Sequence, residues 1–244
     1  VRRLAVLAVT LLVTGCGADG SGGGNAPIAA TTTAATTTTT ATNPTPRPTS
    51  GDVLVAALGD SITAGSPIYD PDPAVRARIG AALNPQSQYE YWFHATHPRY
   101  RFRNCGIFGQ RTDEIAQRLQ SCAKGAQVLV VQGGINDIAQ GRPVADAAGD
   151  IASMLREGKR LGLKVVTVEV LPWNNGYPQA APLITQLNGL IRAAAKAQDV
   201  PVAPWFGTLD DRSAPGRMLK ALTIDGDHPS VAGYKRLAEA LPLP

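Results

Sequence analysis

Histidine and cysteine are scarce in this chain, three of each among 244 residues. That is too few for a zinc-finger array or a metal-cluster protein. Aromatic residues make up 5%, which argues against a sheet whose exposed rings stack nucleotide bases. Charge is thin as well. The formal +4 falls by two once Arg2 and Arg3 are set aside with a removable segment, and the remaining Lys and Arg are scattered singly. Nucleic-acid binding is therefore not expected as the main activity. No run is apolar over the roughly 20 residues that a bilayer span requires, so a permanent transmembrane helix is not expected either.

The first 50 residues divide into two parts. Arg2 and Arg3 precede an apolar run, Leu4 to Val13, the pattern of an export signal covering residues 1–15. The run ends in Val13-Thr14-Gly15-Cys16, which resembles the lipobox of bacterial lipoproteins and implies acylation at Cys16. An ordinary secretory signal with an incidental Cys16 is the alternative. Residues 16–50 are a Gly/Ser stretch, a Thr/Ala tract and three spaced prolines. Nothing in them can bury a core, so a disordered tether is expected, with a reach of roughly 30 Å. Together these features predict an exported lipoprotein, held at the outer face of a membrane through Cys16. Export also predicts that the two remaining cysteines, Cys105 and Cys122, pair in a disulfide.

Residues 51–244 alternate between two patterns. Val53–Leu58, Val128–Gln132 and Val165–Leu171 are short, β-branched and apolar on both faces, as central parallel strands should be. Arg101–Cys105 and Val200–Pro204 are weaker strand candidates. Amphipathic segments at about 113–122, 144–161, 183–198 and 230–241 predict helices. The alternation implies βαβ units, a parallel sheet covered on both sides, and a site beyond the carboxyl ends of the strands.

Three loops at those ends carry chemistry. Gly59-Asp60-Ser61 follows the first strand, Gly134-Ile135-Asn136-Asp137 follows the third, and Asp225-Gly226-Asp227-His228-Pro229 precedes the last helix. Each has a plain explanation: Ser61 as a helix N-cap, Asn136 as a turn residue, Pro229 as the first residue of a helix. Taken together they describe a serine hydrolase. A serine needs a base to take its proton, and His is the natural base near neutral pH. Asp225, three residues before His228, can fix the imidazole tautomer. Asn136 can donate an amide N–H to a developing oxyanion.

The sequence resembles the SGNH (GDSL) hydrolase superfamily over most of residues 51–241. Gly59-Asp60-Ser61-Ile62-Thr63 is similar to its first block, Asn104-Cys105-Gly106-Ile107-Phe108-Gly109 to its second, Gly134-Ile135-Asn136-Asp137 to its third and Asp225 to His228 to its fifth. The resemblance implies Ser61, His228 and Asp225 as a catalytic triad. It implies an oxyanion hole from the amides of Ser61 and Gly109 and the side chain of Asn136, with Gly106 a rival to Gly109. It implies a three-layer α/β/α sandwich, flavodoxin-like, with a five-stranded parallel sheet. The implied reaction is hydrolysis of acyl esters of lipid or carbohydrate through an acyl-enzyme, with no cofactor and no metal. The expected partners are the acyl-ester substrate and the membrane, and a monomer is expected. An acyltransferase using the same residues and a non-catalytic envelope module are the competing readings.

Other residues stand beside this set. His94 and His97 sit three apart, a metal-site spacing without a nearby third ligand, so packing or surface roles are expected. Asp60 and Asp137 are expected to fix their loops as hydrogen-bond acceptors. Asp227 rivals Asp225 for the imidazole, and Trp173 either lines the substrate pocket or packs under a loop. The segment from Ser66 to Arg103 holds Tyr69, Tyr89, Tyr91, Trp92, Phe93 and Tyr100. It reads equally as a substrate wall and as a helix packed on the sheet.

Overall fold

The computed structural model describes residues 51–244; the expected signal segment, Cys16 and the tether lie outside them. The chain runs from Val53–Gly59 (β1) into Ser61–Ala64 (α1), Pro73–Ile79 (α2) and Tyr89–Thr96 (α3). It returns through Tyr100–Gly106 (β2) to Thr112–Gln117 (α4) and Leu119–Ala123 (α5). Val128–Val131 (β3), Ile135–Ala139 (α6), Val144–Arg160 (α7), Lys164–Val168 (β4) and Ala180–Ala197 (α8) follow. Val202–Ala203 (β5), Trp205–Leu209 (α9) and Val231–Glu239 (α10) complete it. All four strand pairings are parallel, in the order β2-β1-β3-β4-β5.

Alternating side chains of the strands feed two cores. Ala56, Leu58, Leu129 and Val131 face one layer, packed by Ile115, Leu119, Ile151, Leu155, Ile184 and Leu187 from α4, α5, α7 and α8. Val55, Ala57, Val128 and Val130 face the other, packed by Tyr89, Phe93, Trp205, Tyr234 and Leu237 from α3, α9 and α10. This is the three-layer sandwich expected. It also decides the role of Tyr89–Phe93: the rings of Tyr89 and Phe93 are buried in the core, not in a substrate wall.

Several local expectations are revised. The amphipathic segment at 113–122 is two short helices, because the chain turns at Arg118 (φ −98°, ψ −2°). The apolar run through Leu171 outlasts its strand. The Asn188 amide group of α8 brackets Val170, accepting from its N–H at 2.8 Å and donating to its carbonyl at 2.9 Å, in place of a neighbouring strand. Pro229 precedes the last helix rather than opening it. Ser230 is the cap, its hydroxyl accepting from Gly233 N at 3.2 Å. Asn136 lies within α6, not in a free turn. Cys105 and Cys122 form the expected disulfide, tying the end of β2 to α5 across Cα atoms 6.1 Å apart.

The strand order reverses between β1 and β3, where crossovers leave in opposite directions. In open parallel sheets a crevice forms at that point, beyond the strands' carboxyl ends. The loops after β1 and β3 border it.

Candidate active site

Ser61 is the first residue of α1, and its neighbour Asp60 performs the capping. Asp60 Oδ1 accepts from Ile62 N at 2.9 Å, so Ser61 needs no capping role and its hydroxyl is free for other work. Gln132, at the end of the β3 run, anchors the same loop: its Oε1 accepts from Asp60 N at 3.0 Å and Thr63 Oγ1 at 2.9 Å. The loop's position is thus fixed by buried hydrogen bonds. Asp60 is fully buried, one carboxylate oxygen has no partner among the described residues, and burial raises its pKa from 3.8 to about 6 against the pull of the Ile62 N–H.

His228 reaches Ser61 across 167 positions of sequence, with Nε2 3.1 Å from Oγ. Its Nδ1 lies 2.7 Å from Asp225 Oδ2. A carboxylate only accepts, so Nδ1 carries the proton and Nε2 is left as the acceptor for the Ser61 hydroxyl. Asp225 also builds the loop: its Oδ1 accepts from Asp227 N at 2.9 Å and His228 N at 2.7 Å. Burial alone raises the Asp225 carboxyl. The hydrogen bonds from the His228 ring and from the two backbone N–H groups outweigh it, leaving the pKa below the ordinary value. Ser61 is 5% exposed and His228 9% exposed, so the Ser61–His228 contact is screened from bulk water, while the Asp225 carboxylate lies at the exposed edge of the site.

Asp227 does not compete for the imidazole. Its Oδ1 accepts from Trp173 Nε1 at 2.5 Å and Asn175 Nδ2 at 2.7 Å, pinning the 173–175 loop to the His228 loop. Trp173 therefore serves as an anchor between the two loops. It is half-buried under the loop, and it lines a narrow cavity with Ile62, Ile135, Leu171 and Asp227. That cavity holds about 10 Å³, enough for about one water.

Asn136 sits in the first turn of α6, whose placement is set by its neighbour. Buried Asp137 accepts from Thr112 N at 3.0 Å and Thr112 Oγ1 at 2.8 Å, and pairs with Arg142 at 2.6 Å. One amide hydrogen of Asn136 goes to Gln110 O at 3.0 Å; a primary amide has two. That bond and the one from Gln140 Nε2 to Gly109 O, 3.0 Å, hold the turn containing Gly109. Gly109 has φ +78° with open space where a Cβ would stand, and its N–H has no partner among the described residues. Gly106 is the poorer rival. It ends β2, and a Cβ there would come within 2.1 Å of Ala64 N, so its glycine serves the close approach of α1.

Arg118, like Gln132, is a residue that sequence reasoning missed, since its partners are distant in sequence. Its guanidinium donates to Cys105 O at 2.5 Å, Gly59 O at 3.1 Å and Gln110 Oε1 at 2.8 Å. One planar cation therefore ties together the ends of β1 and β2 and the Gly109 turn. Burial lowers its pKa, opposed by the charge of Asp60. The histidine pair needs no metal: His94 Nδ1 bonds Tyr100 O at 2.8 Å, and His97 stacks on Phe93 with centroids 4.5 Å apart.

The profile of the GDSL-like lipase/acylhydrolase family matches residues 57–236, from the end of β1 to α10 and through every loop described above. The chain belongs to this family. It is accordingly a hydrolase, with an esterase and lipase family behind it. Solved structures repeat the fold of this GDSL-like chain. A GDSL-like lipase from Bacteroides thetaiotaomicron superimposes with a TM-score of 0.60 at 24% identity, covering 77% of this chain and 84% of its own. A structure from Desulfitobacterium hafniense, described as a lipolytic protein of the G-D-S-L family, gives 0.64 at 19%, covering 78% and 97%. An acetyl xylan esterase from Geobacillus stearothermophilus gives 0.60 at 20%, covering 78% and 92%. No curated protein matches the sequence.

Proposed function

We propose that the protein is a serine esterase that cleaves acyl esters at the cell envelope through a covalent intermediate on Ser61. The observation that carries this reading is the chain Ser61–His228–Asp225, with contacts of 3.1 and 2.7 Å. As Ser61 Oγ bonds to the ester carbonyl carbon, its proton passes to His228 Nε2 and the carbonyl π pair moves onto oxygen. Asp225 holds the resulting imidazolium in place. The oxyanion is met by the amides of Ser61 and Gly109 and the second N–H of Asn136. When the tetrahedral intermediate collapses, the bond to the leaving oxygen breaks and that oxygen takes the proton from His228. Water, deprotonated by the same imidazole, then releases the acyl group as free acid and restores Ser61.

Export and anchoring through Cys16 belong to the same proposal. The lipobox-like sequence ending at Cys16 supports it, and so does the Cys105–Cys122 disulfide, a bond kept in oxidising compartments. Turnover of a p-nitrophenyl acetate to hexanoate series is the test. Ser61→Ala and His228→Gln should each lose about 10⁴-fold or more in kcat with an unchanged melting temperature. Wild-type rates in either variant would overturn the assignment.

A further inference from the structure

The proposed reaction places the alcohol half of the ester at His228, because the imidazole hands its proton to the leaving oxygen and must lie within hydrogen-bond reach of it. Phe108 borders that place. Its ring lies 6.0 Å from the His228 ring, with 27° between the planes. Phe108 is 63% exposed, and its neighbour Ile107 is 42% exposed. The turn beneath them is held by the bonds from Arg118, Asn136 and Gln140, so the aromatic face is presented on fixed backbone. Beyond it opens a groove of about 390 Å³, within the size range of small-molecule sites. Ile107 and Phe108 line it from the loop after β2, Asp70, Asp72 and Val75 from the segment that opens α2, and Arg118 from the junction of α4 and α5. Each aspartate has one oxygen engaged by a local backbone N–H, Asp70 Oδ1 by Asp72 N at 2.8 Å and Asp72 Oδ1 by Ala74 N at 2.7 Å.

This pairing of surfaces selects among alcohols. An alkyl chain would press hydrocarbon against two carboxylates, stripping their water without returning a hydrogen bond. An anionic headgroup would meet two like charges, against one guanidinium, Arg118, whose donors already serve Cys105 O, Gly59 O and Gln110 Oε1. A sugar ring satisfies both surfaces, laying its C–H face on the aromatic ring and offering hydroxyl donors to the carboxylates. Resting on the esterase reading, we infer that this groove is the alcohol subsite and takes a pyranose ring stacked on Phe108, with its hydroxyls on Asp70 and Asp72. The substrate class is thereby an O-acylated carbohydrate.

The experiment uses two kinds of acetate that share an acyl group and differ in the alcohol: the mono-O-acetyl isomers of methyl glucopyranoside, and butyl acetate. The wild-type protein should hydrolyse at least one sugar acetate with a higher kcat/KM than butyl acetate. Phe108→Ala should lower kcat/KM on that sugar ester by about tenfold, chiefly through KM. The same variant should lose less on butyl acetate, so that the ratio of the two kcat/KM values falls by about fivefold or more, and Phe108→Trp should restore that ratio. Equal losses on both esters, a larger loss on butyl acetate, or a wild-type protein inactive on every sugar acetate would overturn the inference. The esterase reading is judged separately, by fluorophosphonate labelling of Ser61. Labelling without sugar activity removes only the subsite, whereas absence of labelling removes both.

Discussion

Three side chains divide one job at the residue scale: Ser61 offers the hydroxyl, His228 accepts from it and Asp225 fixes the ring. In the proposed reaction Asn136 carries a separate demand, because its second amide hydrogen, without a partner among the described residues, is useful only once charge appears on the substrate oxygen. Asn136→Ala should therefore lower kcat by about 10²–10³-fold while leaving KM nearly unchanged. A purely structural Asn136 would instead lower the melting temperature with little kinetic change per folded molecule. Asp60 makes a different prediction. Its pKa is raised to about 6 in the folded protein, so the folded state holds that proton at pH values where the unfolded chain has released it. The stabilisation is fully present below the unfolded value and is lost as pH rises through about 6, a change on the order of 3 kcal/mol. Asp60→Asn keeps an equally good cap and removes this loss. The melting temperature of the variant relative to wild type should rise between about pH 4 and pH 7 and then level off, a trend that thermal scans across that range would detect.

These residue roles were legible from sequence to different degrees. Ser61, Asn136 and the Asp225–His228 pair are reactive residue types at places where the strand and helix pattern already puts a crevice. Arg118 and Gln132 gave no such signal. Arg118 sits inside an amphipathic stretch, and its function lies in carbonyls 13 and 59 positions away. Gln132 closes an apolar run, and its partners lie about 70 positions back. Contacts of that range are set by the sheet register, which no local pattern encodes. Asp227 was a genuine rival of Asp225 by spacing alone, and only the Trp173 and Asn175 donors settle the choice.

At the scale of elements, the strands β1 and β3 and the long helices α7 and α8 follow directly from their apolar periodicity. The failures are at junctions. One helix was expected where α4 and α5 meet at Arg118, because hydrophobic spacing continues smoothly through the turn that the guanidinium holds. The aromatic cluster before β2 admitted two readings, because burial of Tyr89 and Phe93 depends on α10 packing across them. The disulfide was legible from residue count and redox logic. It closes a 17-residue separation between β2 and α5, with Arg118 in between. Cross-linking a loop of that size contributes about 3 kcal/mol. Reduction, or the Cys105→Ser and Cys122→Ser double variant, should lower the melting temperature by several degrees. It should also reduce turnover, since Arg118 and the Gly109 turn lose a fixed base. An unchanged melting temperature on reduction would show that the bridge carries no stability.

At the scale of the whole molecule, the parallel order β2-β1-β3-β4-β5 brings together loops that are widely separated in the chain. The proposed nucleophile comes from the end of β1, the proposed oxyanion donors from the ends of β2 and β3, and the proposed base from the approach to α10. The site exists only when all four are docked, which is why its chemistry was readable in fragments but its geometry was not. The proposed mechanism holds an acyl group on Ser61 during turnover. Its most direct test is to quench the enzyme in acid while it hydrolyses a slow ester, digest it, and weigh the peptide containing Ser61. The account predicts that peptide in two forms, free and heavier by the acyl group, with the heavier form lost on substrate depletion and absent from Ser61→Ala. An enzyme that turns over the ester while the Ser61 peptide stays unmodified throughout, or one that carries the acyl group on another residue, would contradict it.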